Sequence, residues 1–320
     1  MKFIDHPVVI QKSEYTQLSK KIVRKLSRHP SIGSIYQMGS VKHPGISDLD
    51  IICIFKDNSF CNLDIRSKLS NHERKILTHD VFGVQQSDFE RCIDYNYISN
   101  LKLLFGGSLV DSSSLDKQIS SSMQQQIAFE YLLKMYFVLD MQITYGVIKL
   151  RSFLLEAKAI VFDLQLLEIE KGELYDLVEE VVNMREFWFE STPSLNKVEC
   201  LVVSFHKALF EFLEAELSRC DFYLPSSRIK ISKNINIIYS KKFQAKHFGF
   251  TLPEYFFFFG RKYINLQNRT NRFTYSIPFK IPGSSTWQLE RFNYLLGVYR
   301  INKNRFPKFI PMTTSLSLYE

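Results

Sequence analysis

Asp48 and Asp50 stand one residue apart at the head of an apolar run, Ile51-Ile52-Cys53-Ile54-Phe55. On a strand, alternate side chains share a face, so both carboxylates project to the same side. Two carboxylates there offer hard oxygen ligands. Mg²⁺ (or Mn²⁺) takes such ligands while it also holds substrate phosphates. Upstream, Gly39-Ser40 ends a second apolar run that begins at Ser34. A glycine lets the backbone approach a phosphate closely, and Ser40 adds an N–H and a hydroxyl. Lys42, in the Val41–Ser47 spacer, can reach a phosphate or simply be solvated; Pro44-Gly45 carries the turn.

These residues need strands and helices to place them. Residues 13–28 read as a helix with Leu18, Ile22 and Leu26 at spacing four; Lys20, Lys21, Arg24 and Lys25 fall mostly on the other, solvated face. Residues 34–38 form the first strand of this pattern, and the run after Asp50 forms the second. Residues 63–75 are polar and helical in character. Ile76 to Val84 reads as a third strand, with Asp80 in its middle. A buried, unpaired carboxylate is expensive, so Asp80 there has a basic partner, has a role in a site, or marks a loop. On a regular strand His79 faces away from Asp80 and is given no role. Asp88 and Asp94 are rival third acids in polar surroundings. Leu101 to Leu109 reads as a short strand with a Gly106-Gly107 turn.

Gly-Ser followed by Asp-apolar-Asp on the next strand resembles the signature of the nucleotidyltransferase superfamily related to DNA polymerase β. The resemblance covers residues 13–110. It implies a small mixed-sheet catalytic domain, in an α+β chain, that moves a nucleoside monophosphate from a nucleoside triphosphate to a hydroxyl. It implies that Asp48 and Asp50 hold Mg²⁺ (or Mn²⁺), that Asp80 supplies the third carboxylate, and that Gly39 and Ser40 cradle phosphates. Relatives carry a helical bundle after this domain, and here that implies a cleft wall from which Lys158 reaches the triphosphate. Read from the residues alone, Lys158 shares a helical face with Leu155 and Phe162 and equally well snorkels to water. Glu130 is a weaker base candidate from the same region, and Lys149 and Arg151 are weaker phosphate candidates.

The remaining chain divides by composition. Ser112-Ser113-Ser114 and Ser120-Ser121-Ser122 mark a linker over 111–122. Domain boundaries are therefore expected at 1–111 (catalytic), 123–222 (helical bundle) and 223–320 (basic, aromatic-rich, β-containing). In the last region residues 228–239 alternate isoleucine with polar or basic residues, as one half-buried strand would. Tyr263–Leu266 and Arg272–Ile281 read as further strands, and Tyr255–Phe259 as partly core.

The net charge is +8, and residues 226–320 alone carry 16 Lys and Arg against three Glu. A basic segment interleaved with aromatics suits phosphates and bases, so RNA is a candidate acceptor beside a small molecule or a protein side chain. A nucleotide- or RNA-binding module without catalysis is the third alternative. Five scattered cysteines, no apolar leader and no membrane-length run point to a cytoplasmic protein with no membrane partner. P-loop, dinucleotide-fingerprint and serine-hydrolase motifs are absent from the sequence.

Overall fold

The structure, a computed structural model, describes residues 1–109 and 120–316. The chain begins with β1 (Lys2–Ile4), α1 (Lys12–Leu26), β2 (Ile32–Met38), β3 (Asp50–Phe55) and the short α2 (Glu73–Ile76). Next come β4 (Phe82–Gln85), α3 (Gln86–Asn96) and β5 (Leu101–Phe105). Then follow α4 (Ser121–Thr144), β6 (Val147–Lys149), α5 (Leu150–Leu166), α6 (Glu173–Glu186) and α7 (Leu195–Glu216). The last part holds β7 (Arg228–Ser232), β8 (Ile235–Tyr239), β9 (Gln244–Phe248), α8 (Arg261–Thr270), β10 (Arg272–Ile277), α9 (Trp287–Arg305) and β11 (Ile310–Pro311). The protein is thus mixed α and β with mixed sheets.

Contacts divide the chain into two units. The first, the sheet unit, takes residues 8–109 together with 290–314. Its five-stranded sheet runs β11-β4-β3-β2-β5. β2 lies antiparallel to both β3 and β5, and β4 lies parallel to β3 and to β11. The helix expected over 13–28 is α1. Its Tyr15, Leu18, Ile22 and Leu26 are buried in one cluster with Ile35, Leu49, Ile51, Cys53 and Phe55. By strand alternation, α1 therefore covers the face opposite Asp50. Phe306 and Phe309 complete this core. The Phe55 ring stacks on Phe306 at 3.8 Å between centroids and meets Phe309 edge-on at 4.8 Å.

Gly106 ends β5 with φ +84°, a left-handed conformation. A Cβ there would fall on the Gly33 carbonyl and within 2.9 Å of the Ser34 Cα. Gly106→Ala is expected to cost about 2–3 kcal/mol. Urea unfolding checks this; a midpoint equal to that of the wild type would contradict it.

The second, the helical unit, contains residues 1–7, 120–289 and 315–316. Helices α4 to α7 occur over the stretch read as helical throughout, and Ser120 caps α4 by accepting from the Met123 N–H. Most of the linker expected over 111–122 lies outside the described residues, but Ser121 and Ser122 are helical. A four-stranded sheet, β7-β8-β10-β9, follows α7, and a parallel pair joins β1 to β6.

Several expectations are corrected. Residues 228–239 form a hairpin, not one strand: the chain turns at Lys233-Asn234, and Arg228 pairs with Ile238. The alternation persists through the turn, so it hides the reversal. Tyr263–Leu266 is helical, because Tyr263, Ile264 and Gln267 bury one face of α8. Tyr255–Phe259 is a short 3₁₀ segment with no buried residue. Ile76–Val84 is not one strand: Ile76 closes α2, and β4 begins only at Phe82. Phe82 is where β4 gains neighbours on both sides, Ile52 in β3 and Ile310 in β11.

Candidate metal centre

Strand β3 starts at Asp50, whose partner in β2 is Met38. Asp48, Asp50, the Gly39-Ser40 bend and the entrance to β4 therefore all lie at one end of the sheet. Leu49 is buried, and its N–H donates to the Ile76 carbonyl at 3.0 Å. That bond fixes the chain before β3 with the two acids on the face away from α1. The spacer is held from below. The Tyr15 hydroxyl donates to the Ser47 carbonyl at 2.6 Å and accepts from the Gly45 N–H at 3.0 Å. The approach to β4 is tied to α1 through Lys21–Glu73 and His72–Glu14, each at 2.6 Å.

One ligand atom from each of Asp48, Asp50 and His79 lies within 4.8 Å of the other two. His79 Nε2 is 2.7 Å from Asp50 Oδ1 and 3.8 Å from Asp48 Oδ2. The Thr78 hydroxyl donates to Asp48 Oδ2 at 3.2 Å. The imidazole sits edge-on to Phe82, and its Nδ1 lies 2.7 Å from the Asp80 carbonyl oxygen, which fixes the ring's orientation. Two carboxylates and an imidazole on this scale match the donor set of a divalent ion. The nitrogen favours a first-row ion such as Mn²⁺ over Mg²⁺, which prefers oxygen.

The structure gathers His79, rather than the expected Asp80, with Asp48 and Asp50. The Asp80 side chain is exposed, and Asp80 serves the group only through its backbone carbonyl. Extending the β3–β4 register backwards would set Asp80 beside Asp50, but the ladder stops at Phe82. Residues 77–81 leave the strand conformation, and His79 turns in instead. The phosphate cradle is also revised. Gly39 has φ +68°, and a Cβ there would meet nothing, so its flank is open. Its N–H, however, donates to the Asn100 carbonyl at 3.0 Å. Ser40 and Lys42 are exposed at the same bend and its spacer. Lys158 belongs to the helical unit, with its ammonium 4.1 Å from the centre of the Phe162 ring. Glu130, in the same unit, is buried and accepts from Gln126 at 2.8 Å. The rival acid Asp88 accepts from the Tyr294 hydroxyl at 2.6 Å.

His79 and Thr78 carried no assignment from sequence. The signal that finds them is the parallel register, which sets position 78 opposite 48, joined to the short length of β4.

Burial alone would lower the His79 pKa. The hydrogen bond and charge of Asp50 outweigh it, with help from the Asp80 carbonyl and Asp48, and raise it to about 9. The folded pKa lies above the unfolded one. The imidazolium–carboxylate contact therefore contributes stability that is complete below about pH 6.5 and lost as pH rises through about 9. A metal needs the neutral imidazole, so binding must release that proton. Mn²⁺ affinity is expected to rise about tenfold per pH unit up to about pH 9. Calorimetry in buffers of different ionisation enthalpy checks this; a pH-independent affinity with no proton release would contradict it.

No protein-family model matches the chain, and neither does any curated protein sequence.

Proposed function

We propose that the sheet unit catalyses metal-dependent transfer of a nucleoside monophosphate from a nucleoside triphosphate to a hydroxyl acceptor. The observation that carries this reading is the convergence of Asp48, Asp50 and His79 at the sheet end where the Gly39-Ser40 bend lies. Asp48, Asp50 and His79 would hold the ion. When bound, a divalent ion neutralises charge on the phosphates and lowers the pKa of an attacking hydroxyl. The chain's own part is mainly positioning. Thr78 and the Asp80 carbonyl fix the rotamers of Asp48 and His79. Ser40, through its N–H and hydroxyl, and Lys42, through its ammonium, offer donors to the β- and γ-phosphates. Tyr15 keeps the loop that follows these two residues in place.

Correcting the third ligand yields a discriminating test. Asp80→Asn keeps the backbone carbonyl, so divalent-ion affinity is expected to stay within about twofold of wild type. His79→Ala removes a ligand atom and is expected to weaken Mn²⁺ binding by about ten- to a hundredfold. Titration of both variants decides; the reverse ranking would restore Asp80 and refute this arrangement.

A further inference from the structure

Positive charge is concentrated in one unit. Residues 8–109 and 290–314 hold 19 Lys and Arg against 11 Asp and Glu, an excess equal to that of the whole chain. Part of that excess lines an open groove of about 370 Å³ formed by Gln17, Lys20, Lys21, Arg24, Lys25 and Arg28. No acid lines it. The groove runs along the outer side of α1 and the turn that follows it, and the inner residues of α1 cover the sheet face away from Asp50. It is therefore distinct from the metal centre.

Two of the groove's cations are committed within the fold, and three are not. Lys21 is held by Glu73, and Lys25 donates to the Asp64 carbonyl at 3.2 Å. Lys20, Arg24 and Arg28 are exposed, and their side chains make no ion pair among the described residues. Burial, then the charge of Lys68, pulls the Lys25 ammonium below its usual pKa; Asp64 opposes this and Lys21 adds to it. Cations held this close repel one another until an anion arrives.

The spacing selects the anion. Lys20 and Arg24 lie one turn apart on α1, about 6 Å at the helical rise, and Arg28 follows in the turn just past the helix end. A single small phosphate would be gripped by converging donors; here the donors are strung along a line. A membrane would need apolar residues to insert, whereas the apolar residues of α1 are in the core. No aromatic lines the groove, so bases have nothing to stack on there.

We infer that this groove anchors a nucleic acid strand through its sugar–phosphate backbone, without reading its sequence. The inference moves the nucleic-acid grip from the basic 226–320 segment to α1. It does not depend on the proposed transferase activity.

The test is fluorescence anisotropy with a labelled single-stranded RNA of mixed sequence, in EDTA, between about 50 and 200 mM salt. Because EDTA removes the metal, a negative result leaves the transferase reading untouched. Lys20→Gln, Arg24→Gln and Arg28→Gln combined should weaken binding on the order of a hundredfold at the lowest salt. The combination should also reduce the slope of log affinity against log salt by about two. Each single substitution should give a part of that loss, which guards against misfolding of the triple variant. Lys241→Gln, Lys242→Gln and Lys246→Gln combined, in the helical unit, should stay within about twofold of wild type. RNA binding that is absent, or lost only in the second set, overturns the inference. So does equal affinity for polyglutamate or for phosphatidylserine vesicles.

Discussion

Replacing Asp48 and Asp50 together with alanine is expected to reduce metal-dependent pyrophosphate release from a nucleoside triphosphate by about a thousandfold or more. That factor corresponds to several kcal/mol of charge stabilisation at the reacting phosphate. Both side chains are only partly buried, at 14% and 24% exposure, and lie at the end of the sheet where its central strand begins. Their removal leaves Leu49 and Ile51 in the core, so the fold should persist. The pair also holds His79 in place, so the double variant should lower the imidazole's elevated pKa towards its ordinary value. Pyrophosphate release, with circular dichroism as the control for folding, checks the loss. Undiminished release from a folded double variant would refute the site.

Phe306→Ala is expected to destabilise the sheet unit by about 3–5 kcal/mol. Phe306 is fully buried and stacks on Phe55, the last residue of the strand that carries Asp50. Nearby, the Asn302 amide donates to the Gly83 carbonyl at 2.6 Å, and Ile310 extends the sheet beside Phe82. Residues 290–314 are thus part of the unit that holds the candidate metal centre. Urea unfolding should show one transition at a lower midpoint, accompanied by weaker metal binding. A midpoint unchanged from wild type would show that residues 290–314 are dispensable for this core.

That result also marks the limit of what sequence discloses. Local patterns are legible: the amphipathic spacing of α1, the alternation around Asp48 and Asp50 and the long apolar helices α4 to α7 all follow from short-range periodicity. Partners chosen over long distances are not. Nothing near residue 82 announces that β11 arrives from residue 310 to form its second neighbour. Without that knowledge Ile76–Val84 reads as one strand, and Asp80 takes the place that His79 holds. Residues 228–280 and 290–314 differ in company rather than in composition. The basic tail therefore reads as one region, although 228–280 packs with the helical unit and 290–314 with the sheet unit. Five consecutive aromatics at 255–259 suggest core, yet three of them are exposed. Aromatic content measures available apolar area, not whether a partner surface exists to bury it.

The cluster differs from a set of three carboxylates in a way that chemistry can detect. An imidazole is neutral when it binds a metal, whereas a carboxylate brings a negative charge. The present group therefore carries less negative charge than a set of three acids, and on this account it would bind an ion in competition with a proton. His79→Asp should restore hard-oxygen character, shift preference from Mn²⁺ towards Mg²⁺ and flatten the pH dependence.

The central claim is that Asp48, Asp50 and His79 form one divalent-ion site that engages a nucleoside triphosphate. The most direct measurement is Mn²⁺ binding by electron paramagnetic resonance, with and without nucleoside triphosphate, in wild type and in Asp48→Asn with Asp50→Asn. Wild type should bind Mn²⁺ and hold it more tightly when the nucleotide is present, and the double variant should do neither. Equal Mn²⁺ binding by the two proteins, or no binding by wild type at pH 9 with nucleotide present, would contradict the account.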